Sequence, residues 1–254
     1  MFTVDELLGS VFDSALDKAV DVAVDGVVRR ALRAWEGWAG TVADTSSPQM
    51  GSGGRASSQP TLNSSKQFSW GPERLVVNAN DPYGYTPKPS FNCDYNNPNY
   101  GDERVLMIAK PAADETAGGW TTILDATPGV EYLIRIYYHN SSDPSQVASG
   151  ARGWLNIPDY PAHAALITAY LTAENTEPPA VWSSILFQSD SAVRLIYSPG
   201  SARLFTNALP HGRPVGDGLA IGTGELLGAE GNGSVPGGYQ SAGILTCKVR
   251  VHSC

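Results

Sequence analysis

The stretch Val130-Glu131-Tyr132-Leu133-Ile134-Arg135-Ile136-Tyr137-Tyr138-His139 decides the fold class. Taken two residues at a time, one set of positions is Val130, Tyr132, Ile134, Ile136 and Tyr138, and the other is Glu131, Leu133, Arg135, Tyr137 and His139. One set is apolar throughout and the other is mixed, which is the pattern of a β-strand with one core-facing side. The same alternation returns in Val193, Leu195 and Tyr197, and again in Cys247, Val249 and Val251 against Lys248, Arg250 and His252. Further strands are expected at 105–109, 120–125, 153–157, 165–173, 181–188, 203–206 and 219–221. Between them lie turn signals such as Thr127-Pro128-Gly129 and Pro199-Gly200. About ten strands, each with one apolar face, bury those faces by packing as two sheets. The expectation is a mainly-β protein, a β-sandwich of immunoglobulin-like or Greek-key type.

Upstream the period changes. Apolar pairs at Leu7/Leu8, Val11/Phe12, Ala15/Leu16, Ala19/Val20, Ala23/Val24, Val27/Val28 and Ala31/Leu32 follow helical spacing. Asp13, Asp17, Asp21 and Asp25 precede Arg29, Arg30 and Arg33, an acid-to-base order that suits the helix macrodipole. Residues 41–66 are then rich in Ser, Gly, Thr and Gln. The organisation read from the sequence is therefore an amphipathic helix at 1–40, a Gly/Ser-rich linker at 41–66 and the β-sandwich at 67–254. All 18 prolines lie at or beyond Pro48, so the turn-rich composition belongs to the linker and sandwich. The first 40 residues lack the basic start and unbroken apolar centre of a secretory leader.

The 254 residues are 42% hydrophobic and 17% charged, as expected of a globular chain with a real core. A net charge of -8, with no clustered basic stretch in the sandwich, argues against a nucleic-acid partner. No run of about 18 apolar residues is present to cross a bilayer as a helix.

Chemistry-bearing motifs are sparse. His139, His163, His211 and His252 are widely spread, without HExxH spacing, and no Gly-x-Ser-x-Gly motif occurs. They read as packed or solvated histidines, and no catalytic residue or cofactor is assigned. The loop 94–103 offers oxygen ligands of the kind calcium takes, with Asp94, Asp102 and Glu103 as the candidate set. The same residue types build turns without a metal, and Glu103 with Arg104 reads as an ion pair at a strand start. Tyr83, Tyr85, Tyr95 and Tyr100 crowd one Asn/Pro/Gly-rich region and form a candidate ligand surface. Aromatic rings there could stack on a sugar, while Trp120, Trp154 and Trp182 lie in or near strands and suit a core. Three cysteines leave one unpaired. Cys93 with Cys247 is the candidate bridge, and the alternative is that both are small buried residues.

Phe68-Ser69-Trp70-Gly71-Pro72-Glu73-Arg74, Ser90-Phe91-Asn92, Asn97-Pro98 and Gly101-Asp102-Glu103-Arg104 together carry a family resemblance. So does Pro128-Gly129 followed by Tyr132, Arg135, Tyr137 and His139-Asn140. From about Phe68 to Val251 the chain resembles a group of uncharacterised extracellular β-sandwich proteins of actinobacteria and related Gram-positive bacteria, and is similar to repeat-type surface domains of bacterial walls. The resemblance implies export and a non-enzymatic role at the cell surface. The expected function is thus a non-catalytic module for adhesion or protein assembly. It would bind a protein partner or a second copy through the 1–40 helix or a sheet edge. The alternatives are a carbohydrate-binding module recognising a cell-surface glycan and, further off, a glycoside hydrolase using two carboxylates across a sugar site.

Overall fold

The computed structural model describes residues 70–81 and 83–254. The helix and linker expected at 1–40 and 41–66 lie outside the described residues. Within them the chain forms thirteen strands: β1 Trp70–Gly71, β2 Met107–Pro111, β3 Ile123–Asp125, β4 Glu131–Tyr138, β5 Val147–Ala148, β6 Arg152–Asn156, β7 Ala162–Thr172, β8 Ala180–Tyr197, β9 Arg203–Thr206, β10 Leu209–Pro214, β11 Glu225–Leu226, β12 Val235–Pro236 and β13 Gly243–Ser253. Apart from the small pair β5–β12, they share one hydrogen-bonded network of eleven strands. Its pairs are antiparallel except β3 with β8. Among the described residues no helix is long and apolar enough to cross a membrane.

Two long strands turn that network into a sandwich. Residues 180–188 of β8 pair with β7, while residues 193–197 pair with β13. β13 in turn lies against β4 along one edge and against β9, then β8, along the other. One layer is β2–β4–β13–β9–β10, and the other is β11–β6–β7 with the first half of β8. Strand β8 crosses between them at Ser189, Asp190 and Ser191, polar residues with no core face to fill, opposite an irregularity in β7 between Ala162 and Ala164. Corners of this kind let a strand serve two layers.

The layers meet over the apolar faces that the alternation predicts. Tyr132, Ile134, Ile136 and Tyr138 of β4 are buried in the main core with Val181, Ile185 and Phe187 of β8 and Leu245, Cys247 and Val249 of β13. Tyr132 meets Phe187 of the opposite layer edge-on, 5.2 Å between ring centroids. Gly153 of β6 allows the close approach of β13, since a Cβ there would stand 2.8 Å from Leu245 Cδ1.

Several local expectations are corrected. The strand expected at 219–221 is instead a short 3-10 turn, Asp217–Leu219, tied off by Ala220 N–H donating to the Asp217 carbonyl. Trp154 and Trp182 do not enter the core but lie half-buried on the outward face, in register with Tyr170 between them. The Cys93–Cys247 bridge is absent and both are buried free thiols. Cys247 pairs with Ile134, whereas Cys93 is held by Ser141 Oγ, seven residues further along that segment. At strand rise this is a separation of roughly 20 Å, against a disulfide Cα limit of about 7 Å.

Candidate functional site

The mixed face of β4 is covered by the loop that runs from Phe91 to Leu106, and the site is built between them. Asn92 pins the loop down. Its amide Nδ2 donates to the carbonyls of Glu103 (3.0 Å) and Tyr137 (3.1 Å), and its Oδ1 accepts from the His139 N–H at 3.0 Å. The backbone of Asn92 is left-handed, φ 53°, a conformation that asparagine tolerates better than most residues. The main-chain N–H of Asn92 also donates to the His139 carbonyl, and Tyr137 N–H donates to Leu106.

This zipper delivers Glu103 and Asp94 to His139. All three are buried, at 1%, 3% and 2% exposure. Glu103 Oε2 lies 3.0 Å from His139 Nδ1. Its other oxygen, Oε1, accepts from Asn97 Nδ2 at 2.6 Å and from the Tyr137 hydroxyl at 3.4 Å. Asp94 Oδ2 accepts from the Tyr239 hydroxyl, and the Tyr239 ring stacks on the imidazole, 4.2 Å between centroids. Among the described residues, Asp94 Oδ1 and His139 Nε2 are buried without a hydrogen-bond partner. One ligand atom from each of Asp94, Glu103 and His139 lies within 4.8 Å of the others.

The electrostatics follow from burial and crowding. Burial, then the nearby Glu103 charge, pushes the Asp94 pKa up against the opposing pull of His139, of the Tyr239 hydrogen bond and of the neighbouring Ser141 hydroxyl. Burial opposes charge on His139, but the charge and hydrogen bond of Glu103, with Asp94 behind them, hold it above the ordinary histidine value. Burial pushes the Cys93 thiol up to about 12, which favours the neutral thiol over the thiolate.

What this arrangement can do is limited by one geometric fact. Ser141 Oγ lies 3.4 Å from the same ring nitrogen, Nδ1, that Glu103 approaches. A hydrolytic serine relay needs the serine and the acid on opposite ring nitrogens, so these three residues do not compose one. The donor set of two carboxylates and an imidazole is instead of the kind that can hold a cation.

The sequence-derived site residues separate into three groups. Asp94 and Glu103 converge as the calcium reading supposed, but Asp102 leaves them. Its Oδ1 accepts from both the N–H and the Nε of Arg104, and its Oδ2 takes the Nη2 at 2.6 Å. An Asx turn thus consumes Asp102 locally, and Arg104 pairs with Asp102 rather than with Glu103. Tyr100 also leaves the ligand surface, since it stacks on Tyr137 at 4.0 Å with the Arg135 guanidinium over its ring. Tyr83, Tyr85 and Tyr95 are exposed, Tyr83 at 87%. His139 is the residue that sequence reasoning passed over. It sits on the mixed face of the clearest strand, and the only signal was its place among Arg135, Tyr137 and Asn140.

The three exposed tyrosines lie on adjoining loops. Val77 N–H donates to the Cys93 carbonyl and Tyr95 N–H to the Val77 carbonyl, which brings residues 77–79 and 93–96 side by side. Asn78 Oδ1 accepts from Asn80 N–H and Asn96 Nδ2, Asn96 Oδ1 from Ala79 N–H, and Asp81 Oδ1 from Tyr83 N–H. These polar side chains stiffen the loops while the tyrosine rings face outward. No family model matches the chain, and no curated protein or solved structure is similar to it.

Proposed function

We propose that this chain is a non-catalytic β-sandwich binding module, acting in adhesion or protein assembly at the cell surface, with the Tyr83/Tyr85/Tyr95 loop face as its contact surface. The observation that carries this reading is the combination of outward tyrosines with loops already braced by their own asparagines. Tyrosine supplies large contact area at low entropic cost, and a pre-ordered loop loses little further freedom on binding. Loops gathered at one end of a sandwich are a common place for recognition. A surface setting rests on the resemblance to extracellular proteins.

Two features favour a protein partner on the loops over the other routes. Two of the sheet edges are blunted: β11 has two residues, and β10 carries a register irregularity and ends in Pro214. Short, bulged and proline-bearing edges resist strand addition. A glycan would need free amide and carboxylate groups around the rings, and both ends of the Asn96 amide, with Oδ1 of Asn78 and of Asp81, are already spent on the loop itself.

The test compares the full chain with a Tyr83→Ser/Tyr85→Ser/Tyr95→Ser variant, in a cell-wall adherence assay and by solution mass across a concentration series. The expected result is that adherence or self-association falls at least tenfold while the thermal midpoint is unchanged. Equal behaviour of the two chains in both assays refutes the loop-face reading. Strong glycan-array binding that the variant loses would replace it with the carbohydrate reading. Turnover of a polysaccharide panel would replace it with the hydrolase reading.

A further inference from the structure

The Asp94–Glu103–His139 cluster is buried beneath the loop and has no part in the exposed tyrosine surface. Burying two carboxylates costs heavily unless each is paired or bound to a metal. Each of them here has one oxygen fixed by an outer donor. Asn97 and Tyr137 hold Glu103 Oε1, and the Tyr239 hydroxyl holds Asp94 Oδ2. What remains is Glu103 Oε2, aimed at His139 Nδ1, and Asp94 Oδ1, buried and, among the described residues, without a hydrogen-bond partner. Outer partners that orient the first ligands in this way are a regular feature of metal centres. The 3.0 Å between Oε2 and Nδ1 suits two ligands of one ion as well as a hydrogen bond, because bonds of about 2.0–2.2 Å place neighbouring ligand atoms about 3 Å apart.

We propose that Asp94, Glu103 and His139 form a binding site for a divalent first-row transition metal, with Zn²⁺ the expected ion. The donor set decides the class. Calcium takes six to eight oxygens and magnesium keeps an octahedron of them, whereas an imidazole with two carboxylates suits zinc, iron or manganese. The charges close as well, since two carboxylates balance one dication around a neutral imidazole. Binding displaces the proton shared by His139 Nδ1 and Glu103 to solvent. Ser141 Oγ, held by the Cys93 N–H, stands 3.4 Å from Nδ1 beside the ligand atoms. Tyr239, carried on the 3-10 turn Tyr239–Ser241, closes the cluster and positions Asp94.

The test uses the full chain, stripped with a chelator and exchanged into metal-free buffer, and then titrated with Zn²⁺, Mn²⁺, Ca²⁺ and Mg²⁺. Calorimetry should show one tight Zn²⁺ site per chain. At a hundredfold excess over Kd, the thermal midpoint should rise by roughly 5–10 °C for a domain of this size. Calcium and magnesium should leave it unchanged. Co²⁺ should give a visible ligand-field band. Asp94→Asn should weaken Zn²⁺ binding at least tenfold and remove that band, while His252→Gln, at a surface histidine outside the cluster, should change neither. If Asp94→Asn does not fold, Tyr239→Phe, which removes only the outer hydroxyl, should weaken binding about tenfold. No stoichiometric Zn²⁺ binding by the folded wild type overturns the proposal. So does binding that a folded Asp94→Asn or Tyr239→Phe chain retains in full.

Discussion

Replacing Glu103 with Gln tests the logic of the buried cluster with almost no change of shape. In the wild type Oε1 accepts from Asn97 and Tyr137 while Oε2 faces His139 Nδ1. A glutamine in the same pose keeps the acceptor at Oε1 but turns an NH₂ group toward Nδ1. The imidazole must then offer a lone pair at Nδ1 and carry its proton on Nε2, which is buried with nothing to receive it. An unsatisfied buried donor costs about 1–3 kcal/mol. Turning the amide over instead sets its NH₂ against the Asn97 amide donor, with a similar penalty. Removing the carboxylate altogether, in Glu103→Ala, strands Asn97 Nδ2 and the imidazole together and should cost about 3–5 kcal/mol. A domain typically has only 5–15 kcal/mol in hand, so the Gln variant is the one to measure. The assay is urea unfolding in chelator-containing buffer of the wild type, Glu103→Gln, His139→Gln and the double variant. The expected coupling energy between the two positions is about 1–3 kcal/mol. Coupling below about 0.5 kcal/mol, with all four chains folded, would refute the view that Glu103 and His139 support one another.

Asn92→Asp exchanges a single NH₂ for an oxygen that would face the carbonyls of Glu103 and Tyr137, and should lower unfolding free energy by about 2 kcal/mol or more. A loss under about 0.5 kcal/mol would mean that the loop is held by other contacts. Thiol titration of the native protein should find one reactive cysteine, the exposed Cys254, rising to three in denaturant; a constant count of one would restore the disulfide. Burial acts to raise the Glu131 pKa, but the hydrogen bonds of Ser198 and Lys248, with the charges of Lys248 and Arg250, hold it below the usual carboxylate range. A depressed folded pKa contributes stability that is present above the unfolded value and lost as pH falls. The stability difference between wild type and Glu131→Gln should therefore be constant above about pH 5 and shrink below about pH 4.5; an unchanged difference at pH 3 would contradict the assignment.

The sandwich was legible wherever a strand was long enough to show its period. β4, β13 and the second half of β8 announced themselves through alternation, because the core lies on one face and side chains change face at every residue. The junction of the two β8 halves was not legible, since Ser189, Asp190 and Ser191 separate two strand patterns that read as independent although the backbone runs on through them. Two-residue strands such as β5, β11 and β12 carry no period at all, and tertiary pairing alone makes them. The site was half legible for a related reason. Asp94 and Glu103 advertised themselves as loop acids, but their partner stands in another segment 36 residues beyond Glu103. A three-residue convergence produced by folding leaves no spacing to detect. Asp102 misled because the choice between a ligand and an Asx turn is made by local backbone geometry.

The passage of β8 through both layers carries a consequence for how the molecule opens. Amide protons of Val181 and Leu195 belong to different layers but to one continuous strand, bonded to β7 at one end and β13 at the other. Neither layer can release its edge of β8 without dragging the other. The two halves of the sandwich should accordingly behave as a single cooperative unit in hydrogen exchange, with deep core amides of both layers sharing one opening free energy and no partly open form in which one layer survives alone.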